Sequence, residues 1–137
     1  DWMAVIDELP RLTEKPVALL GTGDCVAFSD TFVDGLKLLY DKCKRAGARI
    51  VGQVETDDYD FTDSIAILDD KFLGLAIDHM NEPEKTEQRI EDWLEGLSKY
   101  LGSFERLFAP YIIRELILFF SPRDLSIRNL FIVSVKL

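Results

Sequence analysis

Residues 17–32 constrain the fold of this chain more than any other segment. The apolar run Val17–Leu20 leads into a glycine-flanked loop, and the loop runs directly into a helix start. A strand of this kind is typical of a parallel α/β sheet, in which ligands bind just outside the carboxyl ends of the strands. The loop offers one aromatic side chain, Phe28, and one acid, Asp24. This pair suits a flat, uncharged ring system better than a phosphate group.

Charge and composition narrow the class of protein. The 137 residues are 47% apolar and 30% charged, which is typical of one globular domain. The formal net charge is −9, and this acidity argues against nucleic acid while favouring basic partners or simple solubility. No apolar run reaches the roughly 20 residues that cross a bilayer. The chain opens on Asp1 without a signal-peptide pattern, so we expect a fragment or a processed chain.

The two cysteines indicate neither a metal site nor a disulfide framework. Cys25 and Cys43 match no zinc-ligand spacing. Cys43 falls on the apolar face of a predicted helix, where a cysteine is usually a small hydrophobe. Cys25 lies in the loop, but it is a weak nucleophile candidate because the only histidine, His79, is far away in sequence. We therefore predict no catalytic residues and no metal.

Apolar periodicity predicts alternating helices and strands. A helix is expected to begin at Ser29 or Asp30 and to end at Gly47, and a second to begin at Asn81 or Glu82, with Pro83 in its first turn. The other predicted elements are a helix over 2–9 and strands over 17–20, 49–54, 65–68 and 72–77, the last two joined by a turn at Asp69 and Asp70.

Residues 103–137 differ in character from the rest. They contain no glycine and few acids, and Pro110–Phe120 reads as a helix that is apolar on nearly all sides. Residues 130–135 read as a strand. This tail either covers an exposed edge of the sheet or is an extension foreign to the fold.

The order and spacing of the motifs over residues 1–102 resemble those of the long-chain flavodoxins. An acidic insertion at 55–70, which splits the last strand, is the mark of that group. The matching segments are Leu20–Asp24, Ala27–Phe28, Asp30–Phe32, Gly47–Gly52, Asp58–Phe61, Ser64–Ala66, Asp70–Asp78, Asn81 and Arg89–Leu94, with Asp1-Trp2 resembling the residues that lead into the family's third helix.

This resemblance implies an α/β fold, a flavodoxin-like doubly wound parallel sheet. The sheet is expected to be incomplete, because the family's first three strands and its phosphate-binding loop have no counterpart here. We expect residues 1–102 to form a partial flavodoxin-like domain and 103–137 to be an apolar C-terminal extension outside the family pattern. The strand Val17–Leu20 would then be an unprotected edge.

The resemblance also implies a low-potential electron carrier that binds FMN and is not an enzyme. By position in the motif, Phe28 stacks on the outer face of the isoalloxazine ring. The backbone of Thr22, Gly23 and Asp24 faces the pyrimidine edge, and Thr31 stands where the family often has Asn. From the residues alone, Phe28 packs equally well into the core between strand and helix.

Carboxylates and partners follow from the same resemblance. Asp24, Asp57, Asp58 and Asp60 are expected to surround the flavin and to disfavour its anionic reduced form. The implied partners are a flavodoxin/ferredoxin reductase or photosystem I, and the implied location is the cytoplasm or the plastid stroma. The alternatives are a truncated product and a flavin-free interaction module that does not bind FMN on its own. A receiver module ranks last, because no suitable Lys follows the predicted strand Ile50–Val54.

Overall fold

A computed structural model describes residues 12–100 and the backbone of two later strands. The predicted helix over 2–9 and the apolar run Pro110–Phe120 lie outside the described residues. The described strands are β1 (Pro16–Thr22), β2 (Arg49–Val51), β3 (Val54–Glu55), β4 (Ile67–Leu68), β5 (Lys71–Phe72), β6 (Leu75–Ile77), β7 (Asp124–Ile127) and β8 (Leu130–Val135). The helices are α1 (Gly35–Arg45) and α2 (Pro83–Gly96), followed by a 3₁₀ turn at Ser98–Tyr100.

Strand β1 is the centre of a parallel sheet. On one edge its first half pairs with β2, in the register Val17↔Ile50. On that same edge its second half pairs with β6, in the register Gly21↔Ala76. Strands β2 and β6 therefore act as one interrupted strand, which brings the carboxyl end of β6 beside that of β1.

The opposite edge of β1 is covered by β8, which pairs with it in parallel from Val17 to Gly21. Strand β7 then pairs with β8 in an antiparallel sense. The expectation of an unprotected β1 edge is therefore wrong. The strand predicted over 130–135 is confirmed, and it satisfies the backbone groups that β1 would otherwise expose.

The two helices pack on opposite faces of the sheet. Val17 and Leu19 of β1 belong to the core cluster that contains α1, whereas Ala18 and Leu20 belong to the cluster that contains α2. Because successive side chains of a strand point to opposite faces, α1 and α2 lie on opposite sides of the sheet. This is the predicted doubly wound arrangement, and Cys43 of α1 is buried in its core as expected.

The segment between β2 and β6 leaves the main sheet and forms a small antiparallel sheet in the order β3-β5-β4. Asp69 and Asp70 have positive φ angles of 53° and 62° and make the predicted turn. The strand predicted over 72–77 is broken, however. Gly74 lies against β1 so closely that an added Cβ would stand 2.2 Å from the carbonyl oxygen of Leu19.

The predicted helix starts are partly wrong. Helix α1 begins only at Gly35, and Asp34 at its N-cap position makes no capping hydrogen bond. The Asp34 carboxylate instead accepts from the backbone N–H of Ile65 at 2.9 Å, and the Ser29 hydroxyl accepts from that of Thr62 at 2.8 Å. These side chains hold the inserted segment against the start of α1. Pro83 does occupy the first turn of α2, and Gly47, at φ 91°, follows the end of α1 as predicted.

Neither α1 nor α2 is both long and apolar enough to cross a membrane, and this holds only for the part of the chain that the structure describes.

Candidate functional site

A cavity of about 660 Å³ opens at the carboxyl end of β1. All five residues predicted to contact a ligand line this cavity, together with residues that directly precede α1 and residues that follow β6. The lining consists of Thr22, Gly23, Asp24, Phe28, Thr31, Phe32, Val33, Asp34, His79 and Met80. It contains two carboxylates, one imidazole from His79 and no Lys or Arg, so the described lining suits an uncharged ring better than a phosphate.

The Phe28 ring is available for contact with a ligand. Its side chain is 63% exposed, which excludes the alternative that it packs into the core. Met80, which also lines the cavity, is exposed as well, so the lining carries an accessible apolar surface. An aromatic ring kept at a cavity mouth by a short turn has a free face on which a second flat ring can stack.

Asp24 shapes the turn that carries Phe28. Its Oδ1 accepts hydrogen bonds from the backbone N–H groups of Val26 at 3.0 Å and Ala27 at 2.8 Å. The backbone carbonyl of Asp24 also accepts from the N–H of Phe28 at 3.0 Å. The hydrogen bond from Ala27, followed by one from Asn81, holds the pKa of the Asp24 carboxyl below its usual value of 3.8. The carboxylate therefore stays ionised while it organises the loop.

Asp78 is a fully buried carboxylate directly behind this turn. Its Oδ2 accepts from the backbone N–H of Cys25 at 2.8 Å, and its Oδ1 accepts from those of Met80 and Asn81 at 3.1 and 3.0 Å. Burial alone would raise the pKa of Asp78, but hydrogen bonds from Cys25 and Asn81 outweigh it and lower the pKa. The network joins the loop after β1 to the loop after β6.

Cys25 is not a nucleophile in this setting. Burial, and after it the adjacent Asp78 carboxylate, raises the pKa of its thiol to about 12. The thiol is therefore protonated at neutral pH, and only the thiolate is reactive. Within residues 12–100, no cluster of three or more His, Cys, Asp or Glu side chains could hold a metal ion.

Comparison with family models gives no match for this chain. Comparison with curated proteins and with solved structures does give matches, and those that follow are all flavodoxins. Flavodoxin 1 of Azotobacter vinelandii is 41% identical over 103 residues, which are 72% of this chain and 59% of that protein. Flavodoxin 2 of Escherichia coli is 38% identical over 101 residues, 71% of this chain and 58% of that protein. The crystal structure of a Fusobacterium nucleatum flavodoxin bound to flavin mononucleotide superposes with a TM-score of 0.68 at 37% identity, covering 72% of this chain and 60% of that one.

This chain is related to the flavodoxins. The resemblance in its motifs is thus supported by both sequence and structure. The chain spans about three fifths of the length of the curated flavodoxins that it matches.

The flavodoxin resemblance led us to expect four acids around one site, and the structure separates them. Asp24 lines the cavity at the end of β1, whereas Asp57 and Asp58 line a second, more open cavity of about 940 Å³ between the inserted segment and α2. Asp60 lines neither cavity. The insertion folds back onto α2, which draws its acids away from the end of β1. The expectation that Asp57, Asp58 and Asp60 surround the ligand is therefore wrong.

Sequence reasoning missed the contribution of the loop after β6. His79 and Met80 line the cavity, and Asn81 donates to the carboxylates of Asp24 and Asp78. The available signal was topological, because the carboxyl ends of adjacent parallel strands meet at the same edge of a sheet. We predicted Asn81 as a helix cap, but the capping position is occupied by Glu82, which makes no capping hydrogen bond.

Proposed function

We propose that this chain is part of an FMN-dependent, low-potential electron carrier of the flavodoxin kind. One observation carries the proposal: the five residues expected at the flavin line a single cavity at the end of β1, and Phe28 exposes its ring there. The relation to flavodoxins, one of them solved with flavin mononucleotide bound, supports the choice of ligand.

In this proposal the isoalloxazine ring occupies the cavity. Phe28 stacks on its outer face, and the backbone of Thr22, Gly23 and Asp24 faces the pyrimidine edge. Thr31 offers a hydroxyl at the cavity mouth. The bound flavin supplies the electron-transfer chemistry, while the chain binds and orients the ring, so the protein is a carrier and not an enzyme.

The charges around the cavity favour a low potential. Asp24 and Asp34 line it, and the described lining contains no Lys or Arg to offset them. Negative charge near the ring disfavours the anionic reduced flavin. The net charge of −9 favours basic redox partners, and a flavodoxin/ferredoxin reductase or photosystem I is the proposed class. Such a role fits the cytoplasm or the plastid stroma.

A second candidate is a truncated product or flavin-free interaction module that does not bind FMN by itself. The observation that favours it is the same lining, since the described cavity has no Lys or Arg for the phosphate. Stacking on one aromatic ring contributes only about 0.5–1.5 kcal/mol beyond the area that it buries. The two candidates differ in whether the purified chain binds the flavin ring.

The test is a fluorescence titration of the purified chain with FMN and, separately, with lumiflavin, which has the ring but no phosphate. The proposal predicts quenching of both flavins. Phe28→Ala should weaken ring binding about two- to tenfold, the equivalent of a lost stacking pair. Leu68→Ala is the matched control, because Leu68 is 55% exposed but lines the other cavity. If the fluorescence of neither FMN nor lumiflavin is quenched, the proposal is overturned and the second candidate is favoured.

A further inference from the structure

The side-chain amide of Asn81 bridges two carboxylates that belong to different loops. Its Nδ2 donates to Oδ1 of Asp24 at 2.8 Å and to Oδ2 of Asp78 at 2.7 Å. An amide nitrogen has two N–H groups, so one is available for each carboxylate. The bridge spans 57 residues of sequence between Asn81 and Asp24.

We propose that Asn81 is a positioning residue of the flavin-ring site. It fixes the turn Asp24–Phe28 against the loop that follows β6, and so sets where the Phe28 ring and the backbone of Gly23 stand relative to His79 and the rest of the cavity. This assignment rests on the proposed function and adds a residue that the sequence motifs did not predict at the site.

The other contacts of the turn divide into two groups. The hydrogen bonds from Val26 and Ala27 to the Asp24 carboxylate lie within the turn, so they maintain its shape but do not fix its direction. Across the gap, the N–H of Gly23 donates to the carbonyl of Ile77 at 2.9 Å and the N–H of Cys25 donates to Asp78 at 2.8 Å. Both of these anchor the start of the turn.

Asn81 is the described side chain that reaches the Asp24 carboxylate from the other loop. A neutral amide is well suited to this place. It donates to both anions and adds no charge of its own, whereas a carboxylate would repel both and an apolar side chain would leave the two anions facing each other unbridged.

The test compares Asn81→Leu and Asn81→Asp with the unsubstituted chain. Lumiflavin binding is measured by fluorescence quenching, and the order of the turn by hydrogen exchange of the Cys25 and Ala27 amides. Gln88→Leu is the matched control, since Gln88 also donates its amide to a carboxylate, that of Asp92 at 2.8 Å, on the exposed surface of α2.

We expect Asn81→Leu, which removes both hydrogen bonds of the bridge, to weaken lumiflavin binding about tenfold and to speed exchange of both amides. Asn81→Asp should bind lumiflavin weakly at pH 7, and its affinity should recover as the pH falls toward 5. The added carboxyl lies between the carboxylates of Asp24 and Asp78, so it takes up a proton before they do and can then donate a hydrogen bond to one of them. Each value is taken as a ratio to the unsubstituted chain at the same pH, so that pH effects common to both chains cancel. Circular dichroism checks that each variant is folded.

The outcomes separate the two proposals. If the unsubstituted chain quenches lumiflavin and Asn81→Leu does so with the same affinity, the assignment of Asn81 is overturned while the proposed function stands. An affinity of Asn81→Asp that does not change with pH relative to the unsubstituted chain also overturns it. No quenching by the unsubstituted chain overturns the proposed function and the assignment together.

Discussion

The guanidinium carbon of Arg89 lies 4.0 Å from the centroid of the Tyr59 ring, and this stack joins the inserted segment to helix α2. The same guanidinium donates from Nη1 to Glu82 and from Nη2 to the backbone carbonyl of Asp58, both at 2.8 Å. The Tyr59 hydroxyl donates to the carbonyl of Ala76 at 2.7 Å, and burial raises the pKa of this phenol to about 12. Arg89 thus fixes the insertion to α2, and the Tyr59 hydroxyl fixes it to β6.

Replacing this arginine should destabilise the fold. Arg89→Met keeps much of the side-chain volume but removes the cation over Tyr59 and leaves Glu82, whose side chain is only 19% exposed, without this partner. We expect the free energy of unfolding to fall by about 2 kcal/mol, below the full cost of breaking a buried ion pair because the site is partly open to solvent. Urea denaturation followed by circular dichroism measures the change.

Lys85→Met is the matched control for this prediction. Lys85 binds the same two acids, Glu82 at 2.8 Å and Asp58 at 3.4 Å, but its side chain is 38% exposed. Exposed ion pairs contribute little, so we expect Lys85→Met to lower the free energy of unfolding less than Arg89→Met does. Equal losses of unfolding free energy in Arg89→Met and Lys85→Met would show that neither the stacking of Arg89 on Tyr59 nor its burial adds to the stability of the fold.

How much could be predicted from the sequence depended on the range of the interactions involved. The strand Val17–Leu20, the turn at Asp69 and the position of Pro83 in the first turn of α2 follow from short-range patterns, and each was predicted correctly. The side of the cavity built by residues 22–31 was also accessible, because a loop that follows a buried strand must lie at the edge of the sheet.

The features that were missed depend on long-range pairing. Ser29 and Asp34 have side chains that often cap helices. Their side-chain oxygens instead accept hydrogen bonds from the backbone N–H groups of Thr62 and Ile65. Asn81 likewise reads as a cap until the register of β6 with β1 brings it to Asp24. No local pattern encodes that register, so neither the position of the helix start nor the second half of the cavity could be derived from the residues nearby.

Gly74 should be intolerant of any side chain. A Cβ at this position would stand 2.2 Å from the carbonyl oxygen of Leu19, which belongs to the buried centre of β1 and cannot move aside cheaply. We expect Gly74→Ala to lower the free energy of unfolding by about 3 kcal/mol through overpacking. Gly96→Ala is the control, since nothing lies within 4 Å of an added Cβ there. It should be neutral or stabilising by up to about 1 kcal/mol, because alanine favours the helix.

Thermal or urea denaturation of both glycine variants checks this prediction. A Gly74→Ala variant as stable as the unsubstituted chain would contradict the close approach of residue 74 to β1. A loss in Gly96→Ala as large as that in Gly74→Ala would show that the cost comes from replacing glycine as such and not from the contact with Leu19.

The buried carboxylate of Asp78 should make the fold sensitive to acid. Its pKa is below the usual 3.8 in the folded chain and returns to that value on unfolding, so the unfolded chain takes up the proton first as the pH falls. The stabilisation is therefore complete above about pH 5 and is lost as the pH falls through the folded pKa, with a slope of up to about 1.4 kcal/mol per pH unit. Asp78→Asn should be less stable than the unsubstituted chain at pH 7. An amide has one oxygen that accepts and a nitrogen that does not, so it cannot accept the hydrogen bonds from Cys25, Met80 and Asn81 with both of these atoms.

The difference in stability between the unsubstituted chain and Asp78→Asn should shrink as the pH is lowered from about 5 to about 2. Urea denaturation at a series of pH values measures it, and a difference that is constant over this range would mean that Asp78 does not titrate with a lowered pKa.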